Sequence, residues 1–240
     1  MAQSERSIRG STGPRARRTY EWDWAASERE FKRALELNPN EAEAHHQYSH
    51  YLTAVGRTHE SLVESLRALE LDPLSLPLNA HLASHYLYAR QYDQAIEQCR
   101  KTIEMDANYP PAHGFLALAY EQKGMHQEAI AEFQKPITLL GDSVQTRAEL
   151  GHAYAVAGKK EEALKIMDEL KALSKETYVS SYDVAMIYVG LDQKDQAFDW
   201  LQKAYEERFG LRYLKVDPRL DPLRSDLRFR DLVRRVGLPQ

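Results

Sequence analysis

The chain has 240 residues, 43% hydrophobic and 28% charged, with 11 glycines, 10 prolines and one cysteine. This profile suits a helix-rich globular protein; a single cysteine excludes an internal disulfide framework, and the lack of an apolar run of about 18 residues excludes a membrane-spanning helix. The net charge of -4 divides into +4 on residues 1–19, +5 on residues 208–240 and -13 between them, an acidic body that repels nucleic acid and leaves only the ends to attract anions, without specificity.

The polar start MAQSERSIRG has no apolar core of the kind a secretory signal needs, which favours the cytoplasm. Residues 1–19 hold five Arg against one Glu, together with Gly10, Gly13 and Pro14, and are expected to be a disordered basic segment. From about residue 20 to 207, residue types recur every 34 positions. One column reads Ser49, Ala83, Ala117, Gly151, Ala185; another reads Ser27, Ser61, Ala95, Ala129, Ala163, Ala197. Large residues stand between them: Tyr48, Leu82, Leu116, Leu150 and Val184, and again Phe31, Cys99, Phe133, Met167 and Leu201. Small residues where two backbones approach and large ones filling the space between them imply two antiparallel helices per repeat.

In chain order this gives a half repeat at 20–41, repeats starting near 42, 76, 110, 144 and 178, and a C-terminal capping segment at 208–240. Gly56, Gly124 and Gly158 mark turns within repeats; Asn38-Pro39 and Asp72-Pro73 mark turns between them. The half repeat leaves an apolar edge around Trp22, Trp24 and Phe31. That edge is expected to be covered by a second subunit in a homo-oligomer or by the N-terminal segment, or to be the cut end of a longer array. Pro136 falls inside a second helix, which is expected to kink or to end near Lys135. Phe229, Leu232, Val233 and Val236 form one face of a helix at 225–236, with Ser225 as N-cap, closing the last repeat.

The stretches LGHAYAVAGKKEEAL (150–164) and LALAYEQKGMHQEAIAEF (116–133) resemble the tetratricopeptide repeat (TPR), and the likeness covers residues 20 to about 207. It implies an all-α, right-handed superhelical solenoid of antiparallel helix pairs, about five and a half repeats plus a C-terminal capping helix. The two ends resemble the TPR portions at the C-terminus of bacterial multidomain regulators, behind a protein-kinase or winged-helix domain; neither domain is contained in these residues.

The resemblance further implies a concave groove lined by the first helix of each repeat. Residue by residue, it points to His46, His50, His81, Ser84, Tyr88, Phe115, Leu118 and His152 as partner-binding positions. The Lys and Asn with which chaperone-binding members grip a carboxylate terminus are replaced by His and by small and apolar residues, so that clamp is absent. Such walls suit a protein or peptide with apolar anchors, with no specific nucleic acid and no membrane as partner.

No nucleophile elbow, phosphate-binding glycine loop or dinucleotide fingerprint is present, which argues for a non-catalytic interaction scaffold without cofactors. Nine histidines keep an alternative open, a metal- or pH-responsive module. His46/His50 and His81/His85 are i, i+4 pairs, and His46, His50 and His81, with Glu43 added, are the candidate metal ligands. Against a metal, His45 and His113 occupy the family's aromatic position, so imidazole serves as a flat packing residue there, and His85 falls at a largely inward position.

Overall fold

The 34-residue period is realised as helix pairs. In the computed structural model, which describes residues 23–140 and 143–238, a lone helix α1 (Trp24–Leu37) precedes them. The pairs are α2 (Ala42–Ala54) with α3 (Thr58–Leu71), α4 (Leu76–Tyr88) with α5 (Tyr92–Met105), and α6 (Pro110–Gln122) with α7 (His126–Leu140). They continue as α8 (Val144–Val156) with α9 (Lys160–Leu173) and α10 (Ser181–Gly190) with α11 (Lys194–Glu207). Among the described residues there is no strand, and no helix is long and apolar enough to cross a membrane. The disordered state expected for residues 1–19, and Trp22, lie outside the described residues.

The small columns sit where helices touch: Ser49, Ala83, Ala117, Ala185, Ser61, Ala95, Ala163 and Ala197 are fully buried. At Gly151 even a methyl group would come within 2.8 Å of Ile166 Cγ2 and 2.9 Å of Ile187 Cδ1. Each pair turns through one residue in the left-handed region, at Gly56, Arg90, Gly124, Gly158 and Asp192, and the next N–H bonds back to the helix, as Arg57 does to Leu52 (2.8 Å) and Met125 to Tyr120 (2.9 Å). This is the helix-ending motif that glycine favours. Arg90 accepts the strained backbone (φ 64°) and extends its guanidinium to Asp221 in a bidentate pair at 2.6 and 2.7 Å.

A second device also repeats. His45 contacts Glu64 (2.5 Å) and the carbonyl of Pro39 (2.9 Å), and His113 contacts Glu132 (2.7 Å) and the carbonyl of Ala107 (2.9 Å). One repeat apart, Asn79 does the same: it accepts from Gln98 (2.8 Å) and donates to Pro73 (3.0 Å). These side chains are therefore hydrogen-bonding clamps from a first helix to its second helix and to the preceding turn, rather than flat packing residues.

Helix α7 does not stop near Lys135; it runs through Pro136 to Leu140. A proline removes one backbone donor and crowds the carbonyl four residues earlier, and so local a loss is tolerated when the face is packed. Phe133 and Pro136 are buried on that face, and Thr138 Oγ1 donates to the carbonyl of Gln134 (3.1 Å).

After α11 the chain turns at Gly210 (φ 79°), passes through two 3-10 segments (Leu211–Tyr213 and Pro218–Leu223), and ends in α12 (Leu227–Arg235), whose N-cap is Asp226 rather than Ser225. This tail reaches well beyond the last repeat. Leu211, Leu214, Leu220, Leu223, Phe229, Leu232 and Val236 share one core with Tyr182 and Leu201 at one end of the array and with Trp24, Phe31, Tyr51 and Leu52 at the other. Trp24 Nε1 donates to the carbonyl of Val236 (3.1 Å), and Lys215 Nζ to that of Val55 (3.1 Å). The edge at Trp24 and Phe31, 5% and 1% exposed, thus packs into one core with the chain's own tail.

A Cβ on Gly210 would lie far inside van der Waals contact with Tyr182, in a backbone region that alanine resists. Gly210→Ala is expected to lower stability by at least about 2 kcal/mol, read as a lower urea midpoint at unchanged slope. An unchanged midpoint would show that the tail is not anchored on Tyr182.

A candidate site built on a histidine network

The inner helices α2 and α4 face each other, and each carries a histidine pair one turn apart, His46 and His50 on α2 and His81 and His85 on α4. His46 Nε2 lies 2.7 Å from His81 Nδ1 and 3.0 Å from His50 Nε2. His50 Nδ1 in turn lies 3.0 Å from His85 Nε2 and 3.0 Å from the hydroxyl of Tyr213. The network ends on Ser65 Oγ at His85 Nδ1 and on Glu43 Oε2 at His46 Nδ1 (3.3 Å). The rings pack closely as well, with centroids 4.6–4.9 Å apart.

One proton assignment with all four rings neutral satisfies every contact. Ser65 donates to His85 Nδ1; His85 Nε2–H and the Tyr213 hydroxyl donate to His50 Nδ1; His50 Nε2–H and His81 Nδ1–H both donate to His46 Nε2; and His46 Nδ1–H donates to Glu43. His46 Nε2 is the focus, a lone pair on which two N–H groups converge. Burial, then the mutual repulsion of the imidazoles and the charge of Arg212, pushes His50 and His85 well below the usual histidine range. His81, for which Glu43 pulls the other way, is pushed down to about 3. Neutral imidazoles with convergent nitrogens are metal ligands in waiting: one nitrogen from each of His46, His50 and His81 falls within 4.8 Å of the others.

Of the positions expected to bind a partner, the structure joins His46, His50 and His81 directly, with Phe115 edge-on to His81 at 6.2 Å. Ser84 is buried and donates to the carbonyl of His81 (2.7 Å). Tyr88 is linked through Tyr213, whose ring stacks on it at 4.7 Å. Leu118 and His152 stand apart, His152 being buried against Glu121 at 3.0 Å. Farther along, the tail's Asp217 accepts from Tyr182 (2.7 Å) and Arg219 (2.7 Å); burial opposes its ionisation, but the Arg219 charge wins and holds the carboxyl low.

Sequence reasoning missed the roles of His85, Ser65 and Tyr213. Ser65 had a signal, since it interrupts the column of Phe31, Cys99, Phe133, Met167 and Leu201 with a small hydroxyl that leaves room for His85. Tyr213 had none, because it lies outside the repeat register.

Residues 81–138 match the family model described as "Tetratricopeptide repeat". No curated protein matches the sequence. Among solved structures the chain is similar to TTC0263, a thermophilic TPR protein in Thermus thermophilus, with a TM-score of 0.59 and 20% identity over 75% of this chain and 91% of that one. It is similar also to MamA, with a TM-score of 0.51 and 18% identity over 81% and 98% of the two chains. Pseudomonas aeruginosa PilF superposes with a TM-score of 0.54 and 15% identity over 80% and 87%. At these identities the likeness establishes the fold, an all-α helical-repeat solenoid.

An unfolded histidine titrates near 6.5, whereas His50, His81 and His85 stay neutral in the fold, so the unfolded chain binds more protons and stability falls as pH drops from about 6.5 toward the folded-state values. The charged and titratable groups facing them are His46, Glu43, Arg212 and Tyr213. Each buried ring contributes a slope of about 1.4 kcal/mol per pH unit in that window. Denaturation between pH 7.5 and 5 is expected to show His85→Gln losing about one proton of this dependence; an equally steep variant would contradict the neutral network.

Proposed function

We propose that this chain, a solenoid of tetratricopeptide repeats, is a non-catalytic interaction scaffold whose concave face takes a peptide or extended segment of a partner protein through apolar anchors. The observation that carries the reading is that the inner helices already hold such a segment. Residues 211–223 lie across α2, α4 and α10 in non-α conformation, with Tyr213 against Tyr88 and His50, Leu220 and Leu223 fully buried, and Arg219 charge-paired. A wall that accepts an aromatic anchor, leucines and a guanidinium from its own tail matches the same chemistry in a partner. The acidic middle of the chain, at -13, adds long-range attraction for a basic ligand.

In this reading Tyr88, Phe115, Leu118 and His81, all half-buried, contact the partner, while the buried His46, His50, Ser84 and His152 set their positions. The tail is a tethered competitor, so an added peptide gains when the tail is weakened. Catalysis has no support: the one thiol, Cys99, is buried and burial pushes its pKa up, the reverse of an activated nucleophile, and Ser65 and His85 are enclosed. The likeness of both chain ends to bacterial regulators supports a place in signalling or transcription control.

Selection of displayed random 15-residue peptides on the full chain tests the proposal. The expected result is enrichment of sequences with an aromatic and a basic residue, bound several-fold more tightly by Tyr213→Ala and at least about tenfold more weakly by Tyr88→Ala, as loss of a buried aromatic anchor implies. Peptides bound equally by wild type and both variants would place the binding surface elsewhere.

A further inference from the structure

We propose that His46, His50 and His81 form a three-imidazole site for zinc, with Glu43 as the supporting carboxylate and His85 and Ser65 as a second supporting arm. Three features of the geometry carry this. The ligand nitrogens already converge: His46 Nε2 faces His81 Nδ1 at 2.7 Å and His50 Nε2 at 3.0 Å. Tetrahedral zinc at about 2.0–2.1 Å from each nitrogen sets them about 3.3 Å apart, about half an ångström beyond the two short pairs, while the third pair, His50 to His81, lies within 4.8 Å. The far nitrogens are also provided for. His46 Nδ1 points at Glu43 (3.3 Å), the carboxylate–histidine–metal arrangement, and His50 Nδ1 points at His85 Nε2 (3.0 Å). Third, a carboxylate stands at the solvent edge of the cluster: the Glu43 side chain is 64% exposed beside a His46 side chain only 9% exposed.

The proton inventory balances without release. In the metal-free network two N–H groups, from His50 Nε2 and His81 Nδ1, occupy the space between the three nitrogens. On binding, the His81 proton passes to Nε2, the His50 proton to Nδ1 and the His85 proton to Nδ1, while the Ser65 and Tyr213 hydroxyls turn from donor to acceptor. Three lone pairs then face the ion, His50 donates to His85, and His46 keeps its bond to Glu43. Every ring is neutral before and after, and imidazole is the ligand type that borderline divalent ions favour. Arg212, whose charge is felt by His50 and His81, opposes a cation here, whereas Glu43 favours it.

Chelator-treated full-length protein titrated with Co(II) and then Zn(II) tests the site. Expected are one saturable equivalent of Co(II) with the intense visible bands of a tetrahedral ion, displacement by Zn(II), and a melting temperature raised by several degrees when zinc is in about hundredfold excess over Kd. His81→Gln removes the bands; Glu43→Gln, on the exposed rim where folding is not at stake, weakens binding about tenfold. Arg212→Gln tightens binding, and the exposed His59→Gln changes nothing. The site is refuted by no saturable Co(II) binding, by binding that survives His81→Gln, or by loss of binding in His59→Gln, which would show adventitious capture by a surface histidine.

Discussion

The structure depends on one contact that no repeat supplies: the tail of residues 208–238 lies between the two ends of the array and shares a core with both. A solenoid is ordinarily held by nearest neighbours alone, and its ends are exposed hydrophobic faces that need covers. Here a single segment covers both. Trp24 gives its indole N–H to Val236, Lys215 reaches the end of α2, Asp221 holds Arg90, and Tyr182 seats Gly210 and Asp217. Residues separated by more than 150 positions thus contribute to one packed core.

The histidine network lies beneath this clasp. Burying polar groups is costly unless each finds a partner, and half-satisfied networks are worse than apolar cores. Four imidazoles at one interface between two repeats are tolerable only because Ser65, Tyr213 and Glu43 close the chain of donors and acceptors. Two of those partners come from the second helix of the first full repeat and from the tail, so the network ties α2, α3, α4 and the tail together directionally. Apolar packing alone would not fix such an arrangement so narrowly.

Much of this is written in the 34-residue period, because helix pairing and small-residue contacts are local and recur. The left-handed turns at Gly56, Gly124 and Gly158 are legible for the same reason, while Arg90 and Asp192 in the same conformation are hidden because neither is a glycine. His45 and His113 suggest packing in the sequence because they replace an aromatic; Asn79 in the same register, which no aromatic role explains, carries the hint of hydrogen bonding. The inward position of His85 is legible, and its hydrogen bonds are not, since periodicity tells which way a side chain points and nothing about what it meets. The tail has no period to read. Its apolar residues show that a helix must be buried, but their partners at Trp24 and Phe31 lie at the opposite end of the sequence.

Hydrogen exchange of wild type and Leu220→Ala, followed peptide by peptide, tests the clasp most directly. Leu220 is fully buried in the tail and lies outside the 34-residue register. If the tail joins the ends, exchange in Trp24–Ala54 accelerates together with that in 208–238, while α6 and α7 are little changed. Acceleration confined to the tail and the last repeat would contradict a clasp that joins both ends.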